Sequence, residues 1–523
     1  MSRLASVISR FTSLVSGSRN IAVGTSALTS TTSGIGNVAV GWWAMKDTTV
    51  ATGLQAIGYG AMQCNTTGAY NTAFGRFAYR RATTGTRNVA IGNSAMYGSA
   101  ASAPTKSIAI GDFSLNNVTT ANFNIAVGYG ALRCTTTGSS NIGVGDQVLY
   151  LNTIGFNNTA IGHQAARFGT TAACGVAIGY HALYSNSTGS NNVAVGVCAL
   201  SLNTTGVDNT AIGYLALNAN TTGFKNTAVG LCALAFNTSG YGNIAFGWNA
   251  LSNDLVGDDN TAVGTDALRF NLAPSNTAIG ANAMCSNVGG FFNTAVGFDA
   301  LRLHVSGTTN EAFGARALGN TTTSSDNAGF GYQTLQFNTT GARNVAVGRD
   351  ALRSNSTGTN NTAVGYRSGC TTSTGTNNTS LGNGAVASTG TASNEVTLGN
   401  TAVATIRGQV TTITALSDVR DKTCIEPVGW GLDFVKDMNP VKFNWNRRDG
   451  SFEGKKEVGF IAQELDELET LYNSTDYTNI VYKSNPDRLE AAAMKSYPIA
   501  IRAIQELSDK IDAIHARLDV LEQ

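Results

Sequence analysis

Apolar and polar positions along this chain recur with a period of 17 residues. Each unit reads Asn-x-Ala-Val-Gly or a close variant. The closing glycines run from Gly24, Gly41 and Gly58 to Gly399, 23 in all, and every spacing is 17 except 19 into Gly111 and 16 into Gly280. The residue before the glycine is apolar in all 23 units, and Leu or Met stands four residues after it in 18 of the first 22, as in Met45, Leu200 and Leu268. A Thr-Gly turn or similar often follows about ten residues after the glycine, as at Thr67-Gly68 and Thr205-Gly206. A single period held this long marks stacked copies of one supersecondary unit. Val38 and Val40 alternate with small or polar neighbours, which is strand periodicity. Seventeen residues are too few for a helix pair. Each unit is therefore expected to hold two short strands and two turns, with Gly and Asn at corners of positive φ. That is one coil of a β-solenoid. At about 4.8 Å per coil the array would span roughly 105 Å.

Asn-x-Thr recurs at Asn65, Asn203 and Asn237. The sequon suits glycosylation, but its fixed phase points to a turn. Asparagines stacked in phase would pair their amides between coils. One apolar stripe of Val, Leu and Met on a thin coil makes a lone chain a poor fold, and packing against partner chains would cover it.

The pattern changes at both ends. In Met1–Arg19 the apolar residues Leu4, Val7, Ile8, Phe11, Leu14 and Val15 follow helical spacing, and a short helix that caps or attaches the array is expected. From Asn394 the repeat dissolves into strand-like stretches, Ala404–Arg407 and Thr411–Thr414. The tail regains a helical pattern. Tyr497, Ala500, Ile504, Leu507, Ile511, Ile514, Leu518 and Leu521 alternate at spacings of 3 and 4, a coiled-coil seam. Ile at both seam positions leans toward three strands over two. The expected domains are 1–19, a capping or attachment segment; 20–393, solenoid repeats; 394–416, fibre end and junction; and 417–523, a small α+β domain ending in a coiled coil over 497–523.

Charge separates the same regions. Residues 416–523 hold 14 Lys and Arg against 20 Asp and Glu, and the preceding 415 residues hold 20 against 13. No basic run marks a nucleic-acid partner. No apolar run approaches the roughly 20 residues of a membrane span. The eight cysteines include no CxxC pair, so no metal or redox motif is present and no cofactor is expected. They are read as small buried hydrophobes in a reduced compartment. Acids are sparse in the repeats. His163, His181 and His304 fall on different phases, so the repeats carry no catalytic pattern. Trp42, Trp43, Trp248, Phe291 and Phe292 occupy variable positions, where they would contact a sugar or protein receptor or simply stack along the rod.

Two resemblances bear on function. Asn88–Gly92 and Asn192–Gly196 resemble the head repeats of trimeric autotransporter adhesins, whose three chains pack into β-rolls. At the junction stands Leu416-Ser417-Asp418-Val419-Arg420-Asp421-Lys422. Gly431–Phe434, Asn439–Trp445, Gly459–Leu465, Val481-Tyr482 and Ala503–Leu507 follow it. In order and spacing this run resembles the intramolecular chaperone of the peptidase S74 family, found at the ends of phage tail spikes and fibres, endosialidases included. The resemblance implies a self-cleaving serine endopeptidase that acts only on its own chain at Leu416–Ser417. Ser417 would be the nucleophile and Lys422 the general base, with Asp418 and Arg420 in support. Burial would have to lower the Lys422 pKa for it to accept a proton. The implied protein is a homotrimeric viral or phage tail fibre or spike, assembled in the host cytoplasm and carried on the virion. Its partners would be itself, a virion or tail attachment protein, and a host surface receptor such as a glycan. A bacterial trimeric adhesin, or a spike whose chaperone stays attached, is the alternative.

Overall fold

The computed structural model describes residues 16–99, 102–403, 422–446, 454–483 and 489–521. The apolar residues of the helix expected over Met1–Arg19, and the strand-like stretches Ala404–Arg407 and Thr411–Thr414, lie outside these residues. The chain divides into two compact units, Met1–Arg343 and Asn344–Gln523.

In the first unit each repeat forms one strand of three residues, from β1 (Ile21–Val23) and β2 (Val38–Val40) to β19 (Ala328–Phe330). Neighbouring strands pair in parallel and in register. Thr210, Ala211 and Ile212 of β12 (Thr210–Ile212) face Thr227, Ala228 and Val229 of β13 (Thr227–Val229). The two irregular repeats leave this register intact. Val89 of β5 (Val89–Ile91) pairs with Ile108 of β6 (Ile108–Ile110), and Thr261 of β15 (Thr261–Val263) pairs with Thr277 of β16 (Thr277–Ile279). The second unit holds four more such strands, β20 (Val345–Val347) to β23 (Val396–Leu398), with Thr379 of β22 (Thr379–Leu381) opposite Val396. Both units are built from parallel β-solenoid coils.

The second strand expected in each coil does not form. The residues after the corner glycine still bond to adjacent coils: the Leu215 N–H donates to the Val197 carbonyl at 3.0 Å and the Leu217 N–H to the Ala233 carbonyl at 2.9 Å. Both residues are left-handed, with φ of +54° and +50°. Alternate left-handed residues bend the backbone away from a strand while its ladder bonds persist. The corners were expected to use Gly and Asn, yet Leu, Met, Phe and Asp occupy many of them. A left-handed non-glycine costs on the order of 1 kcal/mol or more. It persists here because its N–H is bonded and, at the Leu217 position, its side chain is buried.

The coil interior is narrow. Ala211, Ala216 and Leu217 are fully buried, whereas Ile212 is 41% exposed. The alanine of Asn-x-Ala-Val-Gly therefore points inward and the valine or isoleucine points out. A lone coil fills its own interior with Ala, Leu and Met, and the bulky strand residues form an outer stripe. The cysteines differ from expectation in the same way. All eight are free, six are half-buried, and Cys174 and Cys424 are exposed.

Two columns of buried asparagine run along the coils. In one, the Asn209 N–H donates to Asn192 Oδ1 and the Asn226 N–H to Asn209 Oδ1, each at 3.0 Å. In the other, Asn220 Nδ2 donates to Asn203 Oδ1 and Asn203 Nδ2 to Asn186 Oδ1, each at 2.8 Å. The expected amide ladder is present. Asn65, Asn203 and Asn237 are buried within it, which places the sequon asparagines out of reach of a glycosylating enzyme.

Asp254 interrupts the second column between Asn237 and Asn271. Its carboxylate accepts from the Gly257 N–H at 2.6 Å, Asn271 Nδ2 at 3.1 Å and Asn260 Nδ2 at 3.2 Å. Burial outweighs these donors and pushes its pKa from 3.8 up to about 6. The folded state thus holds this proton more tightly than the unfolded chain. The associated stability is fully present below about pH 4 and is lost as pH rises through about 6, a cost of ~3 kcal/mol at neutral pH. Asp254→Asn is expected to raise the thermal midpoint at pH 8 and to give no gain at pH 4. Equal gains at both pH values would remove charge burial as the cause.

The rest of the second unit is a small α/β region. It contains α1 (Leu432–Asp437), the antiparallel pair β24 (Val441–Asn444) and β25 (Lys456–Gly459), α2 (Ala462–Leu471), α3 (Thr475–Thr478), the pair β26 (Val481–Tyr482) and β27 (Glu490–Ala491), and α4 (Tyr497–Leu521). Phe434, Leu465, Leu468, Ile480, Val481 and Ile499 form its core. No helix among the described residues is long and apolar enough to cross a membrane.

Candidate self-processing junction and assembly surfaces

Of the residues proposed for cleavage, Leu416, Ser417, Asp418 and Arg420 lie outside the described residues, so the structure does not place them beside Lys422. Lys422 begins the described C-terminal region and is exposed in the single chain. The burial that general-base chemistry needs is therefore not supplied by the described part of one chain.

From Lys422 the chain runs irregularly to Trp430 and then enters α1. Two contacts fix that entry. Trp430 Nε1 donates to the Tyr472 carbonyl at 2.9 Å, and the Leu432 N–H donates to Glu506 Oε2 at 2.7 Å. Glu506 lies on α4 and also pairs with Arg502 at 3.2 Å. This carboxylate caps the start of α1, where unpaired N–H groups favour negative charge. The chain leading from the junction is thereby tied to α4.

α4 meets its own region through Ile499 and Ala503, both buried. Its seam faces elsewhere: Ile504 is 63% exposed, Ile514 is 55% exposed, and Leu507, Ile511, Leu518 and Leu521 are also exposed. The seam read from the sequence is distinct from the stripe that holds the helix to its domain. Such an unbroken apolar stripe fits knobs-into-holes packing against further helices. The solenoid carries a second apolar stripe, the residue before the corner glycine, which is exposed in most coils, as at Phe74, Ile161, Ile212 and Val263.

One buried carboxyl group was missed from sequence. Glu469 on α2 accepts from Thr478 Oγ1 and the Ile480 N–H, each at 2.5 Å, and from the Val481 N–H at 3.2 Å. It joins α2, α3 and β26. Only its place on the α2 face shared with Leu465 would have marked it, and that face becomes visible once the helix is docked.

Residues 417–472 match the model of the peptidase S74 family, the chaperone of endosialidase. The match begins at Ser417 and ends at Tyr472, just after α2. No curated protein and no solved structure matches the chain. The S74-like segment thus includes the junction, α1, the β24–β25 pair and α2, while α4 and its seam lie beyond the matched residues.

Proposed function

We propose that this chain is the precursor of a trimeric viral fibre or spike, whose C-terminal region trimerises it and then releases itself by cutting Leu416–Ser417. The observation that carries the reading is that the match to the endosialidase chaperone begins at Ser417, the residue that the motif assigns as nucleophile. The exposed seam of α4 supports the trimer. The outer stripe of the solenoid supplies a second surface for the same three chains to share.

The chemistry needs only this chain and water. Ser417 Oγ attacks the carbonyl carbon of Leu416, a neighbour held at high effective concentration. Lys422 takes the hydroxyl proton and returns it to the departing Ser417 amine. The Leu416–Ser417 peptide bond breaks and an ester from Leu416 to Ser417 Oγ forms. Water then hydrolyses the ester, leaving a carboxylate on Leu416 and the free hydroxyl on Ser417. Lys422 is exposed in one chain, so burial by neighbouring chains is the step that makes it a base. Cleavage then follows assembly, and a chain that has not trimerised stays whole.

Trimerising at one end first also sets register. Near-identical coils can pair in shifted registers, and a nucleus formed by α4 removes that choice. The double variant Ile511→Asp, Ile514→Asp is expected to convert trimer to monomer in light scattering. Burying those carboxylates in a seam would weaken association by at least about a thousandfold. The variant is also expected to stay uncut. An unchanged trimer would show that the seam does not hold the chains together.

A further inference from the structure

An aromatic and cationic ladder lies on the first coils of the solenoid. Trp42 packs on Trp43 at 5.4 Å between ring centroids, Trp43 on Tyr59 at 5.7 Å, Tyr59 on Phe77 at 5.2 Å and Phe77 on Tyr97 at 6.4 Å. Cations flank the rings. Lys46 lies 5.7 Å from the Trp43 ring, Arg76 4.7 Å and Arg80 4.4 Å from Phe77, and Arg81 5.1 Å from Tyr97. Arg80 is held further by Nε to Gln63 Oε1 at 3.0 Å and a guanidinium N–H to Tyr97 Oη at 3.2 Å.

Charge balance sets this face apart. Residues 16–111 contain seven Lys and Arg and the single acid Asp47. Farther along, arginines face carboxylates, Arg269 with Asp266 at 3.5 Å and Arg353 with Asp350 at 3.8 Å. Among the described residues no carboxylate pairs with Arg76, Arg80 or Arg81, and aromatic rings take that place. Cation–π contacts hold a guanidinium in position without neutralising it. The fold therefore presents ordered positive charge in excess of its acids, Asp47 in the same coils and Asp112 at the Arg76 position two coils on. Lys46 and Arg80 occupy the same position two coils apart, so their spacing is about 10 Å.

We infer that this face binds an extended acidic polysaccharide laid along the coils, with guanidiniums taking its carboxylates and Trp42, 53% exposed, taking a sugar face. The inference rests on reading the solenoid as the part of the fibre that meets a surface. A linear ligand with acids at regular intervals suits cations repeated at coil spacing. Single-stranded nucleic acid fits less well, because base stacking needs open ring faces. Here Arg76, Arg80 and neighbouring rings already crowd Phe77 and Trp43.

The test is calorimetric titration of the full chain with an alginate octasaccharide, an oligomer of uronic acids. Neutral dextran, poly-glutamate and single-stranded DNA of similar length serve as comparisons. Alginate is expected to bind, and to weaken at least tenfold in the double variant Arg76→Gln, Arg80→Gln. Trp42→Ala is expected to weaken it severalfold, and Arg269→Gln to leave it unchanged. Circular dichroism on each variant separates lost binding from lost fold. Equal affinity for poly-glutamate or DNA, or an unaffected double variant, would overturn the inference. Light scattering on the same samples keeps the trimer reading separate, since a trimer that ignores alginate rejects only this site.

Discussion

Ser417→Ala is expected to leave the full 54.1 kDa chain uncut under conditions in which the parent chain separates into residues 1–416 and 417–523. Removing the attacking hydroxyl removes the only proposed route to the ester, and cleavage should slow by at least about 10^4-fold. Lys422→Ala should have nearly the same effect, because nucleophile and base act as a unit. Both variants should still trimerise, since neither residue lies on the α4 seam. Intact mass and light scattering on the same sample read both outcomes. A parent chain that stays whole as a trimer would reduce the C-terminal region to a chaperone without protease activity. Cleavage that persists in Ser417→Ala would place the nucleophile elsewhere.

Gly213→Ala is expected to carry a large cost in the solenoid. Gly213 follows β12 with φ +139°, a conformation essentially confined to glycine. A Cβ built there would lie 2.3 Å from the Gly230 carbonyl oxygen and 2.7 Å from its carbon. Both are backbone atoms of the next coil, so no side chain can swing aside. Coil-to-coil spacing must open, and the Gly213 and Gly230 coils lose part of the β12–β13 ladder and asparagine contacts. The strained φ and the clash together should cost about 3 kcal/mol or more. In a stack held by nearest-neighbour contacts, that loss is concentrated at one interface. Limited proteolysis should therefore cut near residue 213 in the variant. Gly36→Ala is the control, because Gly36 has φ +68° and nothing within 4 Å of a built Cβ. Equal behaviour of the two variants would show that coil contact does not set the requirement for glycine.

The solenoid was legible because its signal is repeated. An alternation of three residues is weak evidence once, but phase errors do not survive 23 copies. The asparagine columns were legible for the same reason: a polar residue at fixed phase in successive coils must meet its own copy. The α4 seam was legible because spacings of 3 and 4 over Tyr497–Leu521 define one face without reference to any partner. The interior was not. Val38 and Val40 look like core residues beside Ala39, yet Ala39 alone is fully buried. A coil this thin brings its strand close to the Leu and Met of the opposite turn, and only a small residue such as Ala, Gly or Ser fits between them.

Sequence alone determined the period, the solenoid class, the amide ladders, the helical seam and the motif at Ser417. Each is a pattern in one dimension, set by spacing along the chain. The tertiary structure decided which apolar residues turn inward, why Leu217 and its counterparts tolerate left-handed backbone, and that Lys422 stands exposed in a single chain. It also brought Trp42, Tyr59, Phe77 and Arg80 onto one face. These depend on coil closure and on what lies one coil away. Residues 17 apart become neighbours only when the backbone returns to the same edge, and the sign and burial of a site follow from that contact.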